Sequence, residues 1–214
     1  MIPRIQKQGR SFKGAVQYIT HDKMADTGKR MEWFETGNIL TNDPEKAARV
    51  MAWTDSHADA LKRDFGGSMV GRKTETGAVY HYSISWAEGD NPDQEHQRQQ
   101  ALSSLDFLGL SEHQYVMAAH NDTKNPHVHL VVNLTHPGTG KRADLAYDKR
   151  RLQEWALEYE LEHGMHCTAR EENAEQRKQE GAKEFSQSQK EKHGVMVTRA
   201  YEASDDGKSF KAAL

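Results

Sequence analysis

Three histidines and an aspartate fall within ten positions of the chain, in the segment HNDTKNPHVH that runs from His120 to His129. After Pro126 the residues alternate as in a β-strand, with His127 and His129 on one face and only apolar side chains on the other. The two histidines would lie about 6.6 Å apart along the strand, which lets both imidazoles reach one metal ion. The spacing therefore predicts a metal site.

A hairpin would complete this site. The preceding segment HQYVMAAH is strand-like, and NDTKNP, residues 121–126, is rich in turn formers. Pairing of the two runs brings His120 next to His127. Chance is the alternative, since the chain has twelve histidines, but three on one face of an apolar strand favour metal binding. Three neutral nitrogens leave coordination positions open for substrate oxygens, as in a catalytic site.

An N-terminal helix is predicted to carry a tyrosine at the edge of its apolar face. Ser11 is a suitable N-cap, and the helix should end near His21. Phe12, Ala15 and Ile19 form the buried side, and Tyr18 falls beside it. A purely structural role for Tyr18 remains an alternative at this stage.

Further periodicity defines the elements around this helix and hairpin. Strands are predicted at 31–40 and 79–86, helices at 43–57 (capped by Asp43), 92–108 (capped by Asp90 or Asn91) and 148–162 (closed by Gly164), and a loop at 58–77. The order predicts an α+β fold with two layers, in which helices cover a central, mostly antiparallel sheet that carries the histidine motif on an open face.

Length and composition indicate one domain with an appendage. The 214 residues are only 36% hydrophobic, and the apolar stripe disappears after residue 170. We expect a domain at 1–170 and a charged helix or linker at 171–193. Residues 194–214 are expected to start a further, truncated region, because a helix capped by Ser209 would stop before it is complete. A single cysteine, Cys167, and the lack of a membrane-length apolar run indicate a cytoplasmic protein without membrane insertion.

Charge indicates where nucleic acid would bind. The formal net charge of −3 argues mildly against it, but residues 1–30 are locally basic. Three groups are candidate DNA contacts: the basic segment, the polar row of the strand at 79–86, and the glycine-rich turn at 136–142. A solvated strand face and a plain surface turn are the alternatives for the last two. The candidates are Arg4, Lys7, Arg10 and Lys13, then His81 and Ser83, then Lys141 and Arg142.

Three motifs in order, AVQYIT, YHYSISW and HNDTKNPHVHLVVN, resemble the N-terminal relaxase domain of conjugative relaxases of the HUH endonuclease superfamily, mobilisation (MOBP-like) type. The resemblance implies that Tyr18 is the nucleophile and that His120, His127 and His129 hold a metal. It places Asp122 as a general base, acting directly or by orienting His120. The resemblance allows two roles for His120, as the third metal ligand or as the general base, and we favour the ligand.

The resemblance further implies site- and strand-specific nicking of single-stranded DNA at a plasmid origin of transfer, with a 5'-phosphotyrosyl adduct. An ordinary tyrosine, with a pKa near 10, needs a base or a cation to react. One divalent ion, Mg or Mn, with Zn or Ni as in vitro substitutes, would be the cofactor. The implied partners are an accessory relaxosome DNA-binding protein, a coupling protein and type IV secretion machinery, for a bacterial, plasmid-encoded protein that is translocated to a recipient cell. The alternatives are a metal-dependent hydrolytic nuclease, a rolling-circle replication initiator and a non-catalytic relaxosome scaffold.

Overall fold

The computed structural model describes residues 1–21, 30–65, 69, 76–120 and 122–164. The predicted linker at 171–193, the region at 194–214 and Cys167 lie outside these residues. None of the helices in the described ranges is long and apolar enough to cross a membrane. The elements are, in chain order, β1 (Ile2–Ile5), α1 (Phe12–Thr20), β2 (Met31–Gly37), α2 (Pro44–Ser56), α3 (Ala58–Asp64), β3 (Val79–Ser85), α4 (Gln94–Phe107), β4 (Tyr115–His120), β5 (His127–Asn133) and α5 (Asp148–Glu162).

The strands form one five-stranded sheet in the order β1-β3-β5-β4-β2, and every neighbouring pair is antiparallel. The predicted hairpin is confirmed, since β4 and β5 pair with His120 directly opposite His127. On its other side β5 pairs with β3, where Ser83 lies opposite His129. The histidine strand is therefore the central strand of the sheet, the most constrained position available.

Alternation along the strands separates two hydrophobic clusters, one on each face of the sheet. On one face, the alternate side chains that start with Tyr80 in β3 and Val128 in β5 pack against α4 and α5. On the other face, the intervening side chains pack against α1 and α2. The α+β class with an antiparallel sheet is confirmed, but helices lie on both of its faces, so there are three layers and not the predicted two, because each face of the sheet has its own apolar row to bury. On the histidine face α1 covers one part of the triad, so that His120 is only 1% exposed.

Four details differ from the sequence prediction. The edge strand β1 was missed, because four residues containing Pro3 give no periodic signal, although an edge strand tolerates proline. Helix α3 lies in the predicted loop, and it buries no residue and so has no apolar stripe. Strand β2 ends at Gly37, because Asn38 turns the chain with φ 58°. The N-cap of α4 is Asp93, not Asp90 or Asn91, and its carboxylate accepts from the His96 amide.

The buried side chain of Asn133 joins α2 to the end of β5. Its amide nitrogen donates to Met51 O at 3.1 Å and to Gln114 Oε1 at 3.0 Å, while its oxygen accepts from the Thr135 amide at 3.0 Å. Each buried group left without a partner costs about 1–3 kcal/mol.

Asn133→Ala is therefore expected to lower the free energy of unfolding by about 3 kcal/mol, measured by urea denaturation. The control Asn42→Ala removes an exposed contact with Thr36 and should change stability by less than about 0.5 kcal/mol. Equal stability of both variants and the parent would show that the Asn133 network does not hold α2 in place.

Candidate metal centre and tyrosine

The triad consists of His120 at the end of β4 and of His127 and His129 on β5, and the hairpin register brings their rings together. The ring centroids are 5.2 Å apart for His120 and His127, 4.7 Å for His120 and His129, and 5.1 Å for His127 and His129. One nitrogen from each ring lies within 4.8 Å of the others. That separation allows three nitrogens to surround a single ion.

Hydrogen bonds fix which nitrogen His120 and His127 offer. His120 donates from Nε2 to Ile19 O at 2.6 Å, and its buried Nδ1 has no hydrogen-bond partner among the described residues. His127 donates from Nδ1 to Asn125 O at 3.0 Å, which leaves Nε2 with the lone pair. A ring that donates one N–H to a backbone carbonyl and keeps the other nitrogen free has the usual arrangement of a metal-bound histidine.

The third ligand candidate, His129, is bonded to another histidine. His129 Nδ1 lies 3.0 Å from His81 Nε2, so one ring donates and the other accepts. Burial, and after it the neighbouring His120, lowers the pKa of His129 to about 2. Burial likewise lowers the pKa of His81 to about 4. Both rings are therefore neutral at pH 7, the form in which imidazole binds metal.

Tyr18 lies beside this pair in the last turn of α1. Its ring centroid is 5.7 Å from that of His81 and 5.9 Å from that of His129, in edge contacts, and the residue is 55% exposed. Carbonyls in a final helical turn lack partners within the helix. Here Tyr18 O accepts from Arg30 and Ile19 O accepts from His120, so the end of α1 is docked directly onto the triad.

Sequence reasoning missed the role of Arg30, which stood only among the basic residues of the N-terminal segment. Its guanidinium carbon lies 5.3 Å from the Tyr18 ring centroid, and its Nη1 lies 3.7 Å from Asp122 Oδ2. The side chain is only 9% exposed. No local pattern marks such a residue, because its position depends on how the start of β2 lies against the end of α1. It brings a fixed positive charge to the tyrosine.

Asp122 contacts the triad, but through a different histidine than expected. Its Oδ1 lies 3.8 Å from His127 Nε2, while His120 is oriented by the Ile19 carbonyl. In this structure the hydrogen bond that holds the His120 ring is the one to the Ile19 carbonyl at the end of α1, and not one to Asp122. Asp122 instead links Arg30 to His127.

The predicted DNA contacts separate into two regions. Arg4 pairs with Ser83, and Ser83 with His129, so these side chains share the histidine face in one line across three strands. Lys7 and Arg10 are exposed on the segment that leads from β1 into α1, and Lys13 is exposed in the first turn of α1. Lys141 and Arg142 lie beyond the opposite end of β5, about 20 Å from the triad as the strand rises. Arg142 also contacts Asp55 at 3.3 Å and Thr76 O at 2.7 Å, and so stabilises the fold.

The residues fit a divalent ion. Three imidazoles, one of which has a buried nitrogen with no hydrogen-bond partner among the described residues, form a nitrogen donor set that suits a divalent transition-metal ion and leaves positions for oxygen ligands. Asp122 places a carboxylate beside the triad, and Arg30 pairs with that carboxylate. The arrangement suits chemistry on an anion that approaches between the triad and the exposed tyrosine.

Comparison with known proteins gives consistent results. The family described as "Relaxase: MobA/VirD2-like, nuclease domain" matches residues 18–165. The chain is 40% identical over 63 residues to Protein MobA of Acidithiobacillus ferrooxidans, covering 29% of this chain and 15% of that protein. It is 27% identical over 151 residues to a Protein TraI of Escherichia coli, covering 68% of this chain and 20% of that protein. A second Protein TraI of Escherichia coli is 30% identical over 115 residues, or 51% of this chain and 16% of that protein. The chain thus spans a fifth or less of each relative.

We expect the triad to bind Mn²⁺, and His127→Ala and His129→Ala to weaken binding by more than about tenfold, since even a lost outer partner costs about 10–100-fold. Isothermal titration calorimetry at pH 7.5 measures the affinity. His136→Ala is the matched control, because this histidine lies beyond the far end of β5 near Glu112. Unchanged Mn²⁺ affinity in both triad variants would exclude a metal site here.

Proposed function

Because the chain belongs to the MobA/VirD2-like relaxase nuclease domain family, we propose that it nicks single-stranded DNA by transferring the scissile phosphate to Tyr18. The observation that carries the proposal is the contact of Tyr18 with His129 and His81 at 5.9 and 5.7 Å, at the end of a helix docked on the triad. A phosphate held at the triad would lie next to the exposed phenol.

Charge is the main barrier, because a phosphodiester is an anion and gains charge on its oxygens during attack. A divalent ion bound by His120, His127 and His129 would offset that charge. Arg30 adds a second positive group on the tyrosine side, held by the Tyr18 carbonyl and by Asp122. Since the buried imidazoles are neutral, the site keeps a net positive charge once it holds the ion.

In the proposed step the Tyr18 oxygen forms a bond to phosphorus while the bond from phosphorus to the 3' oxygen breaks. The leaving 3' oxygen takes up a proton, and the phenol loses one. We assign Asp122 as the acceptor of the phenol proton, since Arg30 contacts both Asp122 and the Tyr18 ring. The products are a 5'-phosphotyrosyl adduct and a free 3' hydroxyl, which can reverse the step and reseal the strand.

His120 acts as a ligand rather than as a base in this proposal. Its Nε2 donates a hydrogen bond to the Ile19 carbonyl, and its buried Nδ1 has no hydrogen-bond partner among the described residues. A base would have to exchange protons with the phenol, whereas this ring already has a fixed role at each nitrogen. Mg or Mn is the proposed physiological ion, with Zn or Ni able to replace it in vitro.

A biological setting follows from the same family membership. We propose that the DNA is a plasmid origin of transfer, approached along the line of Arg4, Ser83 and His129. An accessory relaxosome protein, a coupling protein and type IV secretion machinery are the proposed partners, in a bacterial cytoplasm from which the adduct is translocated. Rolling-circle initiation would use the same chemistry, whereas a hydrolytic nuclease would use water in place of Tyr18.

Tyr18→Phe is expected to abolish the covalent adduct while metal affinity and DNA binding remain, because it removes only the bond-forming oxygen. The measurement is a denaturing gel of protein incubated with labelled single-stranded DNA and Mn²⁺. Tyr147→Phe is the control, since this tyrosine has a similar exposure of 52% but stacks on Arg150. Continued metal-dependent cleavage by Tyr18→Phe, with no adduct, would support the hydrolytic nuclease instead.

DNA affinity is expected to fall steeply with salt, and Arg4→Gln should reduce the slope of log affinity against log salt by about 0.7, the value for one phosphate contact on a single strand. Fluorescence anisotropy between about 50 and 200 mM salt measures it. Lys141→Gln, at the opposite end of the sheet, should leave the slope unchanged. A larger effect of Lys141 than of Arg4 would reverse the proposed path of the DNA.

A further inference from the structure

A pocket of about 310 Å³ opens beside His120 at the end of the sheet. It extends from the triad around the β4–β5 turn to the segment before α4. The hairpin turn, that segment and the start of β2 form its walls. The lining residues are Glu32, Asn91, Pro92, Gln97, Thr123, Lys124 and Pro126.

The pocket and the tyrosine lie on opposite sides of the triad. Tyr18 packs against His81 on β3 and His129 on β5, whereas the pocket begins at His120 on β4 and reaches Glu32 on β2. The strand order β3-β5-β4-β2 separates these two sides. In an in-line phosphoryl transfer the attacking and leaving oxygens also lie on opposite sides of phosphorus. A phosphate at the triad that is attacked from the Tyr18 side would release its 3' oxygen toward His120, where the pocket opens.

We propose that this pocket binds the base of the nucleotide that carries the leaving 3' oxygen, an inference that rests on the nicking reaction proposed above. Its volume is at the lower end of the roughly 300–1,000 Å³ of small-molecule sites, which suits one nucleobase. The rings of Pro92 and Pro126 offer apolar surface to the faces of a base. The phosphate stays at the triad.

The polar groups of the pocket select the kind of base. The Glu32 carboxylate repels phosphate but accepts hydrogen bonds from an exocyclic amine. Gln97 is fixed as a wall, because its oxygen accepts from Trp33 Nε1 and its nitrogen donates to Pro92 O, each at 3.0 Å. Lys124 stands at the rim, 3.2 Å from Glu88. Cytosine, adenine and guanine offer an exocyclic amine to Glu32, whereas thymine offers only its ring N3–H.

Selection from a DNA pool tests this inference. Single-stranded DNA with a randomised internal segment is incubated with the 214-residue protein and Mn²⁺, and the released fragments are sequenced from their new 3' ends. We expect thymine to be depleted about tenfold at the 3'-terminal base of the released fragments, the size of effect of one base contact. Glu32→Gln should remove this depletion. Glu112→Gln is the matched control, because it removes the same charge from an exposed residue beside His136.

A second measurement does not depend on cleavage. Recovered sequences, synthesised with each of the four bases at the 3' end, are titrated into Tyr18→Phe and into Tyr18→Phe combined with Glu32→Gln. Only Tyr18→Phe without the Glu32 change should bind the thymine-ended strand about tenfold more weakly than the strands that end in the other three bases. If the parent forms adducts but Glu32→Gln keeps the same preference at the final base, the pocket assignment is wrong. If the parent forms no adduct from any sequence, the nicking reaction itself is wrong.

Discussion

The hydrogen bond from His120 Nε2 to the Ile19 carbonyl, 2.6 Å long, is the contact on which the site depends. It satisfies a carbonyl that the end of α1 leaves without a helical partner, and it fixes the proton of His120 on the nitrogen that faces the helix. The other nitrogen is thereby left for a metal. The same bond sets how far Tyr18, one residue before Ile19, lies from the triad. A local requirement of a helix end thus couples the position of Tyr18, the proposed nucleophile, to the histidine triad.

Burial gives the site its electrostatic character. The sheet and α1 exclude water from His129 and His81, which lowers the pKa of both rings and keeps them uncharged. Arg30 and Asp122 then provide one charge of each sign at the rim, 3.7 Å apart. Because the imidazoles contribute no charge of their own, a bound cation and Arg30 determine the field that an incoming phosphate meets. This is a reason for a triad of histidines rather than carboxylates at a site for an anion.

Much of this arrangement is accessible from sequence, because strand alternation has a strict period. Once the apolar row of β5 is identified, the face of His127 and His129 follows, and the short turn determines that His120 is opposite. Capping residues located α1 and α2 for an equally local reason. Contacts between distant segments were not predictable in this way. The position of Arg30 against Tyr18 and the attachment of Arg142 to Asp55 depend on packing that no short pattern encodes. Helix α3 buries no side chain, so periodicity could not reveal it.

The sheet constrains the residues of the site to different degrees. His127 and His129 lie on the central strand, paired on both sides, whereas α1 follows the edge strand β1 and precedes β2, the edge strand at the opposite margin. Edge strands open more readily than central ones. A fluctuation at either margin would move the helix that carries Tyr18, while His127 and His129 remain on a strand that is paired on both sides. In the proposed reaction the nucleophile would thus lie on the more mobile part of the molecule and two of the three metal ligands on its most constrained strand, which would let a DNA strand enter and leave while those two ligands stay in place.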